Sequence, residues 1–236
     1  MKSIKISLTL GVSFIMVLLL FWLLESYHPS GTLLLAITSS SENVEIEEID
    51  DIGITVRSIA LHHPEYGWRV VSSAGYDLLL TNLNKKKGYI LLDTATVNDG
   101  YYDMIKFSLN NTITLHEETS FPAQNPELNI EIPADILINK AGTSSVLFTI
   151  NIPESIYQKN DSYLFLPNIQ LESRVNPRLQ RLSDNSYTIV NGNVTTKNIV
   201  HVDLEGNTRY GDRHNEKEKT DTVRLNSDSV SPVENN

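Results

Sequence analysis

Cysteine is absent from this chain of 236 residues. That excludes disulfides, thiolate metal sites, a cysteine nucleophile and the lipid-bearing cysteine of a lipoprotein. The short patterns that carry catalysis are missing too: there is no G-x-S-x-G elbow, no H-E-x-x-H, no phosphate loop and no dinucleotide fingerprint. Gly142-Thr143-Ser144-Ser145 lacks the strand-to-helix context of a phosphate loop and reads as a turn between strands. No catalytic residue is assigned, and the expectation is a protein that is not an enzyme. Basic residues are scarce beyond position 24, with 17 against 29 acidic ones, a net charge near −12. That balance argues against nucleic acid or an anionic lipid surface as a partner.

Only one long apolar run exists. Residues 6–24 are nineteen positions without a charge, with Lys2 and Lys5 before them and Glu25 after. As a helix the run rises about 28 Å, close to the hydrocarbon thickness of a bilayer. The lysines place the N-terminus, residues 1–5, in the cytoplasm and the rest of the chain outside. The run exceeds an ordinary signal-peptide core, and no small-x-small cleavage site follows it. Trp22 and Tyr27 stand where an interfacial aromatic belt belongs. A retained single-pass signal-anchor in the cell membrane is therefore expected, the alternative being secretion after signal cleavage. Residues 25–30 form a linker of about 20 Å at full extension, which keeps the following domain near the membrane.

From Gly31 onward the apolar pattern has a period of two. Thr32–Thr38 reads as a strand. Ile52, Ile54 and Val56 alternate with polar or small residues, and the phase then slips so that Ile59 and Leu61 carry the apolar face, as a β-bulge produces. His62-His63-Pro64-Glu65-Tyr66-Gly67 reads as a turn, with residues 68–71 pairing back as a hairpin. Further strands are expected at 76–80, 89–92, 101–109, 112–116, 128–132, 136–138, 146–152 and 163–171. Asn110-Asn111 is read as a tight turn, and Ser186–Val190 and Ile199–Leu204 as a hairpin around Asn191-Gly192. Only Glu154–Gln158 offers a helical turn or two. This pattern predicts an all-β domain over 31–204, a two-sheet β-sandwich. Residues 205–236 hold 12 charged residues among 32 and few large apolar ones, and are expected to be a disordered polar tail.

With its strands placed, the chain resembles a prokaryotic extracytoplasmic domain family of unknown function found on exported proteins and lipoproteins. The likeness covers roughly residues 31–172. Gly31 to Thr38 matches an opening G-x-L-x-V-x-L-T-D strand, and Ile52–His62 with Gly67-Trp68 matches a second strand with a Gly-Trp hairpin. Asp77-Leu78-Leu79-Leu80, Gly100 to Phe107 and Phe165-Leu166-Pro167-Asn168-Ile169 match three later segments. The resemblance implies a transthyretin-like or immunoglobulin-like sandwich and carries no activity. Ser39 replaces the acid that usually follows the first strand.

Oxygen-rich segments are the candidate metal sites. The run 45–51 includes Glu47, Glu48, Asp50 and Asp51, and Asp203-Leu204-Glu205-Gly206-Asn207 repeats the idea with Asp203 and Glu205. Calcium needs six to eight converging oxygens, and neither segment has EF-hand spacing, so solvated acidic loops are the plainer reading and no cofactor is assigned. Consecutive His62 and His63 point to opposite faces if they lie in a strand and then cannot share one metal. Sequons occur at Asn110, Asn160 and Asn193, no more than chance supplies in an Asn-rich chain, each on an expected turn. The first functional expectation is a membrane-anchored, non-catalytic binding or structural module of the cell envelope. Its partner is an envelope polymer or a membrane protein. The second is a calcium-dependent adhesin or ligand sensor using the acidic loops. The third is an exported hydrolase with a dispersed site.

Overall fold

The structure is a computed structural model that describes Met16 and residues 29–40, 49–115, 120–122, 127–159 and 162–211. The expected span at 6–24 lies outside the described residues apart from Met16, as do Glu47, Glu48 and Asn160. Among the described residues no helix is long and apolar enough to cross a membrane.

The domain is mostly strand, as the period-two pattern predicts, and two six-stranded sheets pack against each other. The first sheet uses β1 (Ser30–Ser40), β5 (Ile90–Asn98), β9 (Thr143–Asn151), β12 (Asn168–Val175), β15 (Asn193–Val202) and β16 (Thr208–Tyr210). Their order is β16-β15-β12-β9-β1-β5, with β1 and β9 parallel and the other neighbours antiparallel. The second is built on β2 (Ile49–His63) and β6 (Gly100–Leu115). β3 (Gly67–Ser72) and β4 (Tyr76–Leu79) flank β2, while β7 (Ser120–Pro122) and β8 (Leu128–Ile138) flank β6. Two small ribbons stand apart: β10 (Ile156–Lys159) with β11 (Ser162–Phe165), and β13 (Arg178–Arg181) with β14 (Tyr187–Val190). Two short helices, α1 (Leu80–Asn84) and α2 (Ile152–Ser155), complete the domain.

The expected bulge in β2 is present. Val56 pairs Leu109 but Ser58 pairs Ser108, so Arg57 is an extra residue on its strand. Without that residue one of two apolar sets would face solvent, because side chains alternate strictly along a strand. With it, Ile52, Ile54 and Val56 before the slip and Ile59 and Leu61 after it are all buried. Between the sheets, Phe107 of β6 and Phe148 of β9 stack with centroids 4.5 Å apart, and neither has any exposed surface.

Where the strands differ from the sequence reading, a long-range partner explains it. Asn110-Asn111 is no turn: Asn110 pairs Thr55 and Asn111 pairs Ile54 inside a continuous β6. A local turn preference is overridden by a full-length partner in β2. Pro133 likewise lies within β8, beside a register shift against β6, where its missing N–H is tolerated. The segment 163–171 is split at Leu166-Pro167 into β11 and β12. Asn191 and Gly192 do make a turn, both with positive φ. The strands it joins nevertheless belong to different sheets, since β14 pairs β13 and β15 pairs β12. β16 extends the first sheet to Tyr210, past the expected domain end at Leu204.

Among the described residues, no strand pairs with the outer edge of β8. Side chains of the other sheet take that role. Asn198 Nδ2 donates to Pro133 O at 2.6 Å, Thr195 Oγ1 to Asp135 O at 2.6 Å, and Ser144 Oγ to Leu137 O at 2.5 Å. Asp135 N donates to Thr196 Oγ1 at 2.5 Å. This row covers an edge that otherwise invites strand addition from another chain.

Truncating Phe148 to Ala removes the stacked partner and leaves a cavity between the sheets. The expected loss is about 3–5 kcal/mol of unfolding free energy, read from urea denaturation. Leu204→Ala, at an exposed position, is the control and moves the midpoint little.

Candidate functional site

A cleft of about 380 Å³ that could take a ligand lies at one end of the second sheet. It forms where the β2–β3 hairpin end meets the β5–β6 turn. Three residues of the hairpin, Pro64-Glu65-Tyr66, connect His63 to Gly67, whose φ of 73° suits glycine. From the other side come Asn98, Asp99 and Gly100, the last with φ 144°. A Cβ on Gly100 would stand 3.3 Å from His63 Nε2, so the glycine lets the turn close against the imidazole.

Tyr102 is the floor, buried to 3% exposure, with its hydroxyl donating to Asn98 O at 3.0 Å. His63 forms a wall: its ring meets Tyr102 edge-on at 5.4 Å and Tyr66 at 4.6 Å. Tyr66 is the lip, 81% exposed, so most of its ring remains open to solvent. The backbone N–H of Glu65 donates to His63 Nδ1 at 3.1 Å. Nδ1 is therefore an acceptor, and in the neutral ring the proton sits on Nε2.

Charge of both signs lines this space. Arg69, Glu65 and Asp99 all contribute, and among the described residues none of their side chains makes a hydrogen bond or an ion pair. Burial pushes the Tyr102 phenol above its ordinary value; the Arg69 guanidinium pulls it down and the Asp99 carboxylate pushes it up. Arg69 and Asp99 thus act on one hydroxyl without pairing with each other.

His62 points the other way, as consecutive strand residues must. Its Nδ1 meets Asp103 Oδ1 at 2.6 Å, and its ring lies 5.1 Å from Trp68. Lys106 sits 4.5 Å over the Trp68 ring and pairs with Glu131 at 2.7 Å. This arrangement clamps the outer face of the sheet, and the two histidines share no ligand.

Of the acidic candidates, only Asp203 and Glu205 have described side chains. Asp50 and Asp51 lie at the start of β2, and only their backbone is described. Asp203 is occupied by its own turn: Oδ1 accepts from the N–H groups of Glu205 at 3.1 Å and Asn207 at 2.7 Å, and Oδ2 accepts from Arg209 Nε at 2.8 Å. Glu205 is exposed on that turn. Among the described residues no group of three or more His, Asp or Glu side chains is placed to hold a metal ion. Asn110 lies within β6, contrary to the turn expected there, whereas Asn193 is exposed at the start of β15. Ser39 is buried and donates to Leu80 O at 2.6 Å, joining β1 to α1.

Sequence reasoning reached the hairpin turn and His63 but not the cleft. Nothing local in the sequence marks Arg69, Asn98, Asp99 and Tyr102 as site residues, because their proximity depends on the pairing of β2 with β6 and of β1 with β5. The local signal is the Asn98-Asp99-Gly100 turn sequence, which becomes informative only once its neighbour is known.

Fold and site together define an all-β, two-sheet domain with an aromatic-floored, mixed-charge cleft at one end. Compared with protein-family models, curated proteins and solved structures, the chain matches none.

Asp203 carries a testable pH dependence. Burial raises its carboxyl, but the hydrogen bonds from Asn207 and Arg209 and the Arg209 charge outweigh it, so the group is held below its ordinary value. A depressed carboxyl contributes stability that is present above the unfolded value of about 3.9 and is lost as pH falls through the folded one. Hydrogen exchange at β16 and the 203–207 turn is therefore expected to accelerate on acidification below about pH 4, beyond the ordinary decline of the chemical exchange rate. Asp203→Asn is expected to abolish that acid response.

Proposed function

We propose that this chain is a non-catalytic binding module of the cell envelope. On this reading it is a transthyretin-like or immunoglobulin-like sandwich, held at the outer face of the membrane by a retained anchor at residues 6–24. The observation that carries the binding role is the cleft. Its three charged side chains make no side-chain bond within the described structure, and its aromatic lip stands open. Polar groups convergent on a cavity of this size are the usual equipment of a small-ligand site.

Chain length supports a membrane-proximal position. Pro29 O accepts from Asp99 N at 2.9 Å, and Ser30 pairs Asn98 across β1 and β5. The chain therefore enters the domain beside the cleft. Four residues, 25–28, separate the apolar run from Pro29, a reach of about 14 Å at full extension. Envelope polymers and membrane proteins remain the partner classes that suit such a position.

Topology is tested on intact cells with a membrane-impermeant amine reagent. Lys85 and Lys87 are exposed and are expected to be labelled without lysis, with residues 1–24 still present by mass spectrometry of the membrane fraction. Labelling only after lysis contradicts the outward placement, and a mature chain lacking those residues contradicts the anchor.

A further inference from the structure

We propose that the cleft binds a small zwitterion, a ligand carrying an ammonium group and an oxyanion a few bonds apart. The proposal rests on the reading of the chain as a binding module and names the ligand chemistry of that site.

The cleft holds charges that do not pair. Arg69, Asp99 and Glu65 line one cleft, yet no ion pair forms among them. In a cleft without a ligand partner, a guanidinium and a carboxylate on adjoining segments gain by pairing directly. Held apart, they offer an anion subsite and a cation subsite in one cavity. A purely anionic ligand meets Asp99 and Glu65, and a purely cationic one meets Arg69. A molecule with both charges satisfies each without leaving a like charge facing it.

The aromatic groups fit the same ligand. The ammonium lies between the Asp99 and Glu65 carboxylates and against the open Tyr66 ring, whose face attracts a cation. The oxyanion takes the Arg69 guanidinium, which is planar and suited to two-point contact with a carboxylate or phosphate. His63 adds a second donor, because its Nδ1 is occupied by the Glu65 N–H and its Nε2 carries the proton. Tyr102 closes the floor, its hydroxyl already committed to Asn98 O. The volume of about 380 Å³ leaves room for a molecule of amino-acid size.

Two sources supply this chemistry: a free amino acid, and the phosphoethanolamine headgroup of a phospholipid, which the short reach from the apolar run to Pro29 makes accessible. The test uses the full chain in mild detergent, with thermal melting and calorimetric titration as readouts. Alanine, phosphoethanolamine, ethanolamine, inorganic phosphate and maltose are added separately at millimolar concentrations. A saturable rise in melting temperature with alanine or phosphoethanolamine, and none with the other three, is the expected result, since a ligand bound by the native state raises stability. Alanine alone assigns the amino-acid source. Phosphoethanolamine alone assigns the headgroup, which then also binds as phosphatidylethanolamine in nanodiscs. A response to both assigns the shared zwitterion chemistry. Arg69→Gln and Glu65→Gln alter exposed side chains outside the core, and each is expected to weaken binding about tenfold or more, as for loss of a charged hydrogen-bond partner. No response to either zwitterion, an equal response to ethanolamine, phosphate or maltose, or undiminished affinity in both variants overturns the proposal. Surface labelling reads topology and this titration reads ligand chemistry, so failure of one is distinguishable from failure of the other.

Discussion

The pairing of β2 with β6 is the constraint on which the rest of the domain depends. It runs from Ile49 opposite Leu115 to His62 opposite Met104, and the extra residue at Arg57 switches its phase midway. That switch keeps both apolar sets of β2 in the core, against Phe107 and the other buried residues of β6. It also carries the far end of the ladder to the cleft. His63 follows the last β2 residue that pairs with β6, while Gly100 and Tyr102 begin β6. Core packing and cleft geometry are therefore two consequences of one register.

A second constraint joins the sheets at β8. Sandwich sheets ordinarily meet through apolar side chains alone. Here the free edge of β8 is also bonded by Asn198, Thr195, Thr196 and Ser144 from the opposing sheet. These bonds satisfy backbone groups that would otherwise lie at a half-buried seam, and a missing partner there costs more than a formed bond contributes. The polar positions of β15 thus have a structural role, which a reading of strand propensity alone assigns to solvent. Asp203 and Asp184 do similar service in turns, each accepting from neighbouring N–H groups.

The strands and core were legible in the sequence because alternation is a local signal. β1, β3, β9 and the bulge at Arg57 all follow from the spacing of apolar residues. Failures fall where distant partners decide. Asn110-Asn111 has turn chemistry, but β2 supplies a full-length partner and the strand continues through it. The Asn191-Gly192 turn forms, yet β14 and β15 separate because β13 and β12 are better placed to pair with them. The site was half legible. The histidine pair and its hairpin stand out in the chain, and their opposite orientations follow from strand geometry. The other half, from Arg69 to Tyr102, needs two non-local registers before its members become neighbours. Oxygen-rich segments stand out in the sequence as metal candidates, whereas the donors that Asp203 finds within its own turn do not.

A single register thus underlies both the sandwich core and the mixed-charge cleft that the binding reading rests on. Deleting Arg57 tests this most directly, with Arg57→Gly as the control that keeps the residue count. The account predicts that the deletion forces either Ile52, Ile54 and Val56 or Ile59 and Leu61 out of the core, so cooperative thermal unfolding is lost while the glycine variant still melts cooperatively. A deletion variant that unfolds cooperatively at the melting temperature of the unaltered chain would contradict it.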